Sequence, residues 1–527
     1  MGSEPAGVPA PGPLLPAPPV LPALPAPLPA ALDQVLATHA ARQPGRTFLI
    51  APESGKVYTY ADLERQARRL GAALARRGLQ PGDTIATLLH NGWQTTALFI
   101  GSMAEGYVCA PLNLLSQRSQ LAYVIGHSDC KLIFTSGDHE ARLREALQDV
   151  GRVVAIEVID VDQPALFARV PDAAPARSRL DADAPALLMY TSGTTGQPKG
   201  ALLTHGNLLA AARSVAAWHG LTNADRVLSS LPLYHINGQV IATLTPFVSG
   251  GSIVAPHRFS VGNWWQMVKW HQPTWINLVP TIIAYLLNGV EPGRMHKFPN
   301  VRFGRSASAP LPPDQHRSFE RTFGISVIEA MGMTESASVV FCNPQDAERR
   351  KYGTPGLPCG VEARVVDQSG SALDDGITGE LVLRGPNVMR NYYKSPEQTR
   401  AALDEGGWLR TGDLGYRDAD GFYFVTGRIK ELIIKGGENI APREIDEALL
   451  RHPAVLEAAA VGIPDSNYGQ DILACVVLKP GAACDEPTLR AHCLRELGKY
   501  KTPREFRFVV ELPKGASGKV QRLKLLE

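Results

Sequence analysis

One segment of the chain reads Tyr190-Thr191-Ser192-Gly193-Thr194-Thr195-Gly196-Gln197-Pro198-Lys199-Gly200 and lies between two short apolar runs, residues 186–189 and 201–203. Apolar runs on both sides of a turn-forming segment predict a strand, a loop and a second strand. Glycines let backbone N–H groups approach an anion, hydroxyl groups donate to its oxygens, and a lysine supplies a mobile positive charge. The loop therefore predicts a binding site for nucleotide phosphates.

Two other interpretations of this loop compete with that one. A Walker-type phosphate loop needs its lysine directly after the second glycine, followed by Ser or Thr at the start of a helix. Here Gln197 and Pro198 separate Gly196 from Lys199, and Gly200 follows, so this motif is excluded. A flexible surface linker is the plain alternative. Linkers rarely place Pro-Lys-Gly between two apolar runs, which favours the phosphate site.

The overall composition limits the class of protein. A chain of 527 residues predicts two or three domains, and 44% hydrophobic with 20% charged residues is typical of a soluble globular protein. The net charge of +2 gives no electrostatic reason to expect nucleic acid or an anionic membrane as a partner. Seven cysteines without a C-x-x-C pair predict reduced thiols in a cytoplasmic protein. Apolar stretches end well before membrane-spanning length, so we predict no transmembrane helix.

Helical and strand patterns alternate along most of the chain. Residues 1–30 are rich in Pro, Ala and Leu and predict a disordered or polyproline-type tail, either an inert extension or a docking segment. Beyond it, the apolar spacing predicts helices over 31–43, 59–77, 93–104, 118–127, 208–219, 238–248, 261–271 and 395–402. It predicts strands over 83–89, 107–112, 131–134, 252–255, 275–280 and 327–330, and strands running into turns over 225–235 and 301–309. Such alternation indicates a parallel, helix-covered sheet.

The pattern of residues changes twice in the second half of the chain. From about residue 352, Gly/Pro turns separate shorter strands (361–366, 379–384 and 422–426), which predicts a β-rich subdomain. The last hundred or so residues predict helices over 442–451 and 486–498 and strands over 455–461, 471–478 and 506–511. We therefore predict an α/β fold: a large N-terminal domain of helix-covered sheets with a β-rich subdomain, and a small α+β C-terminal domain.

Four further motifs follow the phosphate loop. They are Met331-Gly332-Met333-Thr334-Glu335, Thr411-Gly412-Asp413, Thr426-Gly427-Arg428 and the basic loop 513–522, which contains Lys519. Each has a plain interpretation when it stands alone, as a helix cap, a turn or a solvated loop. Together, in this order and spacing, they resemble the adenylate-forming superfamily of acyl-CoA synthetases, peptide-synthetase adenylation domains and luciferases. The resemblance spans roughly residues 31–527.

This resemblance implies an AMP-forming carboxylate–CoA ligase. An N-terminal AMP-binding domain (31–428) would hold ATP and the acid, and a mobile C-terminal lid (429–527) would rotate about a hinge at Lys430. The carboxylate first attacks the α-phosphate, which gives an acyl-adenylate and pyrophosphate, and the thiol of coenzyme A then displaces AMP. The implied co-substrates are ATP and CoA, with Mg²⁺ as the metal that accompanies ATP and a small carboxylate as the remaining partner.

The resemblance also assigns roles to individual residues. The residues that would bind the β/γ-phosphates are Thr191, Ser192, Gly193, Thr194, Thr195, Gly196 and Lys199. Those assigned to the AMP part of the nucleotide are Ser308, Met331, Gly332, Thr334, Asp413 and Arg428. The remaining assignments are Glu335 as metal ligand, Lys519 as catalytic lysine, Thr334 and His235 as further catalytic residues, and Gly436 and Gly437 as the CoA tunnel. Relatives usually carry an aromatic residue at the position of Met331, so weaker adenine stacking is expected here.

The expected acid pocket contains His235, Asn237 and Arg305. The run 305–309 looks most like the oxalyl-CoA and malonyl-CoA synthetase branch, and a polar lining suits a short acid with a second anion, such as oxalate, malonate or sulfoacetate. Two residues of this pocket have an alternative interpretation. Arg305 could pair with a structural carboxylate outside the pocket, and His235 could be an aromatic gate to the pocket instead of a charge partner. The alternatives for the whole chain are a medium-chain or aromatic acyl-CoA ligase, a luciferase-like oxygenase and a non-catalytic family member.

Overall fold

A computed structural model describes residues 29–170, 179–191, 197–290, 297–514 and 520–526. Within these ranges the α-helices are α1 Leu32–Arg42, α2 Tyr60–Arg76, α3 Trp93–Ala104, α4 Arg118–His127, α5 Gly137–Leu147, α6 His205–Trp218, α7 Thr245–Ser249, α8 Val261–His271, α9 Pro280–Asn288, α10 Pro313–Phe323, α11 Pro396–Ala402, α12 Pro442–Leu450 and α13 Glu486–Lys501. None of the helices within those ranges is both long enough and apolar enough to cross a bilayer.

The strands of the same residues form four sheets. Their bounds are β1 Thr47–Ala51, β2 Lys56–Thr59, β3 Thr84–Leu88, β4 Val108–Pro111, β5 Leu132–Thr135, β6 Ala155–Val158, β7 Pro185–Thr191, β8 Lys199–Thr204, β9 Arg226–Leu228, β10 Ser252–Val254, β11 Trp275–Leu278, β12 Phe303–Ser306, β13 Val327–Met331, β14 Phe341–Cys342, β15 Leu357–Pro358, β16 Glu362–Val366, β17 Gly379–Arg384, β18 Asn391–Tyr392, β19 Leu409–Arg417, β20 Tyr423–Arg428, β21 Ile433–Lys435, β22 Glu438–Ile440, β23 Val455–Asp465, β24 Gly469–Leu478 and β25 Glu505–Phe508.

The predicted strand–loop–strand belongs to a seven-stranded sheet with the order β18-β8-β7-β4-β3-β5-β6. Strands β7 and β8 pair antiparallel, with Thr191 opposite Lys199, because the loop between them is far too short for a parallel crossover. The strands β7, β4, β3, β5 and β6 are parallel to one another. Strand β18 arrives from much later in the chain and pairs with β8 at the edge. The sheet thus fixes both ends of the loop.

A nine-stranded sheet carries the other half of the site, in the order β15-β14-β13-β12-β11-β9-β10-β1-β2. Its six central strands, β13 to β1, are parallel, so their carboxyl ends lie along one edge. The expected parallel sheet is therefore found in the interior. The expectation is wrong at the edges, where β2, β14 and β15 pair antiparallel with their neighbours. No α-helix lies between β1 and β2, between β13 and β14 or between β14 and β15 to provide a parallel crossover.

Several predicted elements needed correction. The strand expected over 275–280 ends at Leu278, because Pro280 occupies the first turn of α9, a helix that the sequence analysis did not predict. The helix expected over 238–248 is a π-helix, Asn237–Leu244, followed by α7. Only Arg226–Leu228 of the segment 225–235 is a strand, and Pro232 follows shortly after it. The predicted helix 59–77 is confirmed as α2, with Thr59 as its cap.

The β-rich region and the C-terminal part form the remaining two sheets. Strands β16, β17, β19 and β20 make an antiparallel sheet in that order, as the Gly/Pro-rich texture predicted. The C-terminal sheet has the order β22-β21-β24-β23, with β25 parallel to β24, and α12 and α13 pack on it. Its apolar residues form clusters separate from those of the large sheets. The C-terminal part therefore has its own core.

His205, the first residue of α6, predicts an acid-sensitive step in stability. Its side chain is fully buried, and its Nδ1 accepts a hydrogen bond from the backbone N–H of Leu32 at 3.3 Å. Burial lowers the pKa of His205 to about 4, whereas an unfolded chain protonates histidine near pH 6.5. A lowered pKa means that this stability is complete above pH 6.5 and is lost as the pH falls toward 4.

We expect His205 to account for about 2 kcal/mol of the free energy of unfolding that is lost between pH 7 and pH 5. Replacement by Gln, which keeps an acceptor but does not titrate, should remove that part of the pH dependence. Urea unfolding of the native protein and of His205→Gln at the two pH values measures the difference. Equal losses in both proteins would contradict the assignment.

Candidate active site

The predicted phosphate loop begins and ends on the antiparallel pair β7 and β8. Thr191 and Lys199 face each other across the hairpin, and both are partly exposed. The five residues between them that were predicted to bind phosphate, Ser192, Gly193, Thr194, Thr195 and Gly196, lie outside the described residues, and so does Lys519. The ammonium of Lys199 lies 5.0 Å from the centre of the Tyr392 ring.

The predicted metal ligand, Glu335, lies in a short 3₁₀ turn, Thr334–Ser336, that follows β13. The turn is tight: a Cβ atom at Gly332 would overlap the carbonyl oxygen of Ser338, so this position accepts only glycine. Glu335 is buried, and its Oε1 accepts a hydrogen bond from the Tyr392 hydroxyl at 2.8 Å. A carboxylate beside a phosphate site suits Mg²⁺, which prefers oxygen ligands. The residues present therefore fit this metal.

Asp413 and Arg428 form an ion pair across β19 and β20. They are partners in the strand register, and Arg428 Nε lies 2.6 Å from Asp413 Oδ1. Burial lowers the pKa of the Arg428 guanidinium, but the Asp413 carboxylate raises it more, with smaller contributions from Glu431 and Glu335. The structure thus brings Asp413, Arg428 and Glu335 into one electrostatic neighbourhood, although the sequence separates them by up to 93 positions.

Two of the three predicted acid-pocket residues, His235 and Asn237, lie on a hydrogen-bonded chain at the carboxyl edge of the nine-stranded sheet. Asn237 donates from Nδ2 to the Ser308 hydroxyl at 3.2 Å, and its Oδ1 accepts from Asn277 Nδ2 at 3.0 Å. The backbone N–H of Asn237 donates to His235 Nδ1 at 3.3 Å. Ser308 has a φ of 75°, a left-handed conformation that is uncommon for a residue other than glycine. The chain thus gathers side chains from three segments, 235–237, 277 and 308.

Arg305 is the most unusual residue of this region. Its side chain is fully buried on β12, and none of its three guanidinium nitrogens has a hydrogen-bond partner among the residues that the structure describes. Arg305 is in register with Asn277 on β11, so both side chains leave the sheet on the same face. An isolated buried cation is costly, because its lost hydration is not replaced. Among the residues that the structure describes, no carboxylate pairs with Arg305, so the site favours an anionic ligand.

Two thiols lie within electrostatic range of Arg305. Burial raises the pKa of the Cys342 thiol, but the neighbouring Cys359 thiol, His219 and Arg305 together lower it below its usual value. His219 Nε2 lies 3.7 Å from Cys342 Sγ. The Cys342 neighbour and burial raise the pKa of the Cys359 thiol, so it keeps its proton and offers Arg305 no charge. Only the Cys342 thiol could offset part of the Arg305 charge, and it does not hydrogen-bond to the guanidinium.

Part of the His235 surface is exposed, but its imidazole ring is largely enclosed by protein and is neutral at physiological pH. Burial lowers the pKa of its imidazole to about 4, and no carboxylate forms an ion pair with it within the described ranges. A neutral ring can gate the pocket or accept a hydrogen bond, as it does from Asn237. It does not supply a positive charge, so Arg305 is the cation of the three predicted pocket residues.

The residues predicted for the hinge and for the CoA tunnel lie at the start of the C-terminal part. Lys430 is exposed in a short turn, Ile429–Glu431, that connects β20 to β21. Gly436 and Gly437 have φ angles of 55° and 86° and form the two-residue turn between β21 and β22. Two positive φ angles are the requirement of a type I′ hairpin, which explains both glycines structurally. Their contact with CoA and the hinge role of Lys430 stay predictions.

Two residues of the site were missed by sequence reasoning. Asn277 lies inside an apolar strand pattern, where a single buried amide could have been noticed as a polar exception. Tyr392 contacts both Lys199 and Glu335, yet it belongs to a short edge strand without a recognisable pattern. Only the fold brings residues 199, 335 and 392 together.

Two family models match the chain. The model described as AMP-binding enzyme matches residues 36–393, and that of the AMP-binding enzyme C-terminal domain matches residues 444–519. The chain belongs to the AMP-binding enzyme family. As the motifs predicted, it is an AMP-forming acyl-CoA synthetase, an acid–thiol ligase that uses ATP, CoA and a carboxylate.

Known relatives resemble the chain over nearly its full length. It is 56% identical to the sulfoacetate–CoA ligase of Cupriavidus necator over 501 residues, which cover 94% of this chain and 97% of the relative. It is 35% identical to the oxalate–CoA ligase of Arabidopsis thaliana, over 87% of this chain and 90% of the relative. Among solved structures, ATP-bound MatB from Rhodopseudomonas palustris superimposes with a TM-score of 0.85 at 30% identity, covering 94% of this chain and 98% of the other.

Proposed function

We propose that this ligase activates a short acid that carries a second anionic group, with sulfoacetate as the first candidate. The observation that carries the proposal is the Arg305 guanidinium, which is fully buried and has no hydrogen-bond partner within the described ranges. A sulfonate or a second carboxylate would supply the missing counter-charge and accept several of its N–H groups. The relative at 56% identity is a sulfoacetate–CoA ligase, which supports the same class of acid.

The spacing of the site favours a short acid. We place the reacting carboxylate beside Ser308, whose hydroxyl accepts from Asn237 and so has its own O–H free to donate. The second anion would lie at Arg305, three residues earlier in the chain. Three residues span at most about 10 Å between Cα atoms, so both proposed contacts lie in one small region of the fold. Oxalate, malonate and sulfoacetate are the short acids with two anionic groups that we propose for it.

The reaction would follow two steps in one divided site. A carboxylate oxygen attacks the α-phosphorus of ATP, and the bond to the bridging oxygen breaks to release pyrophosphate. The sulfur of CoA then attacks the acyl carbon, the thiol loses its proton, and AMP leaves. Lys199 would bind the departing phosphates, and Asp413 would bind the ribose hydroxyls. Lys519 would stabilise the charge that develops at the α-phosphate.

Mg²⁺ belongs to the same proposal. Glu335 would hold it together with phosphate oxygens of ATP, and the bound ion would neutralise part of the phosphate charge. We also propose residues 31–428 and 429–527 as the two domains, since the last five strands, β21 to β25, and the helices α12 and α13 have a separate core. The seven free cysteines support a cytoplasmic location.

A panel of acids tests the proposed substrate class directly. We expect sulfoacetate, oxalate or malonate to support exchange of labelled pyrophosphate into ATP at least ten times faster than acetate, because acetate lacks the second anion. Benzoate and hexanoate serve as the aromatic and medium-chain alternatives. Preference for either of these would overturn the substrate class, and no exchange with any acid would overturn the ligase function itself. Consumption of oxygen during turnover would instead indicate a luciferase-like reaction.

A further inference from the structure

We propose that Tyr392 is a positioning residue of the ATP site. Its hydroxyl would orient the Glu335 carboxylate for the metal that accompanies ATP, and its ring would hold the Lys199 ammonium apart from that carboxylate. The inference rests on the proposed roles of Glu335 and Lys199, and it adds a residue that no motif of the sequence indicated.

The segment 387–393, which contains Tyr392, is hydrogen-bonded to the two segments that carry Glu335 and Lys199. The backbone N–H of Met389 donates to the carbonyl oxygen of Glu335 at 2.7 Å, and that of Tyr393 donates to the carbonyl oxygen of Gly200 at 2.7 Å. Tyr392 itself is the register partner of Ala201 on β8. Asn387 adds two bonds of 2.9 Å from its Nδ2 to backbone carbonyls that follow Glu335. These bonds leave the ring of Tyr392 little freedom to move.

The hydroxyl of Tyr392 acts as a donor. An ionised carboxylate only accepts hydrogen bonds, so the phenol supplies the hydrogen of its contact with Glu335. The bond of 2.8 Å to Glu335 Oε1 is buried. A hydrogen bond that fixes one oxygen of a carboxylate also fixes the direction of the other, which is how an outer partner orients a metal ligand.

The ring of Tyr392 provides a second contact, to a residue of opposite charge. The Lys199 ammonium lies 5.0 Å from the ring centre, within the range of a cation–π interaction. In the described part of the chain, no carboxylate forms an ion pair with Lys199. Because Tyr392 contacts both side chains, loss of its ring would allow Lys199 to pair directly with Glu335 before ATP binds.

Two variants separate the hydroxyl from the ring. Tyr392→Phe keeps the ring, so ATP binding without metal should stay unchanged, whereas the Kd of Mn²⁺ in the enzyme–ATP complex should rise about 10- to 100-fold. Tyr392→Leu removes both contacts and should weaken ATP binding even without metal. Electron paramagnetic resonance of Mn²⁺ measures the metal affinity, and calorimetry in the presence of a chelator measures ATP binding, so neither readout requires turnover.

Tyr393→Phe is the matched control. It removes the hydroxyl of the adjacent tyrosine, which donates to Asp129 at 3.0 Å on the surface, and it should leave Mn²⁺ binding unchanged. Unaltered Mn²⁺ affinity in Tyr392→Phe, or an equal loss in Tyr393→Phe, would overturn the proposal. Melting temperatures of both variants report any general loss of structure.

Glu335→Gln tests the underlying assignment separately. If it weakens Mn²⁺ binding and the double variant with Tyr392→Phe shows no further loss, the two residues act as one unit. If Glu335→Gln has no effect, the assigned role of Glu335 fails, whatever Tyr392 does. Failure of every acid in the exchange panel would leave these binding measurements intact.

Discussion

Replacing Arg305 by Met should lower kcat/KM for sulfoacetate, oxalate or malonate by roughly 30-fold to 5,000-fold. This range corresponds to about 2–5 kcal/mol, the cost of removing one partner of a buried charge pair. Monocarboxylic acids of similar size should lose far less, because they make no ion pair with this residue. Steady-state kinetics with matched acids measures the change in preference.

Arg305→Met should lower activity on these acids but raise the stability of the protein. The guanidinium of Arg305 is buried without a hydrogen-bond partner in the described ranges, so Met should raise the free energy of unfolding of the ligand-free protein by about 1–4 kcal/mol. Denaturant unfolding measures it. A loss of stability with an equal loss of activity on all acids would indicate a structural arginine and contradict the proposed substrate class.

Two matched variants complete this test. Arg350 is also buried, but it lies 3.0 Å from the Glu320 carboxylate, so Arg350→Met should reduce stability without changing acid preference. Cys342→Ser removes the thiol whose pKa Arg305 helps to lower, and it should leave acid preference unchanged. A shift of preference in Cys342→Ser would indicate that the thiol, and not the substrate, is the partner of Arg305.

Lys519→Ala should reduce acyl-adenylate formation by about 10²- to 10³-fold, because the lysine would stabilise charge that develops on the α-phosphate. Thioester formation from supplied acyl-adenylate and CoA should continue at the native rate, since the phosphoryl transfer is already complete. Pyrophosphate exchange measures the first step, and release of AMP from the supplied intermediate measures the second.

Lys514→Ala is the control for this prediction. Lys514 belongs to the same basic loop, and it forms an ion pair of 2.5 Å with Glu457 within the C-terminal part. Its loss should affect both steps equally and weakly. If Lys519→Ala slowed both steps to the same extent, the assigned role would be wrong and a general effect on the lid would be indicated.

The family was evident from the sequence because its motifs are local. A phosphate loop needs glycines, hydroxyls and a lysine within a few positions, and those requirements can be read from residues 190–200. Helices such as α2 were equally predictable, since the amphipathic spacing and the Thr59 cap lie within one segment. The errors were also local: Pro280 begins a helix where an apolar run suggested a continuing strand.

The environment of Arg305 was beyond the reach of the sequence. The run 305–309 supported two opposite interpretations, pocket cation or structural ion pair, because the partner of a side chain depends on residues distant along the chain. In the fold, Arg305 lies beside Asn277 without a hydrogen-bond partner in the described residues. This arrangement favours the pocket, and the acid panel with the Arg305 variant tests it.

The sequence by itself determined the family, the reaction class and most of the residues proposed to contact ATP, since short motifs carry that chemistry. Tertiary structure alone decided which charged residues have partners and which do not. Tyr392 stands between Lys199 and Glu335 because an edge strand from residue 391 pairs with β8. Pairing between distant segments leaves no periodicity in either one, so a contact of this kind becomes visible only in the folded chain.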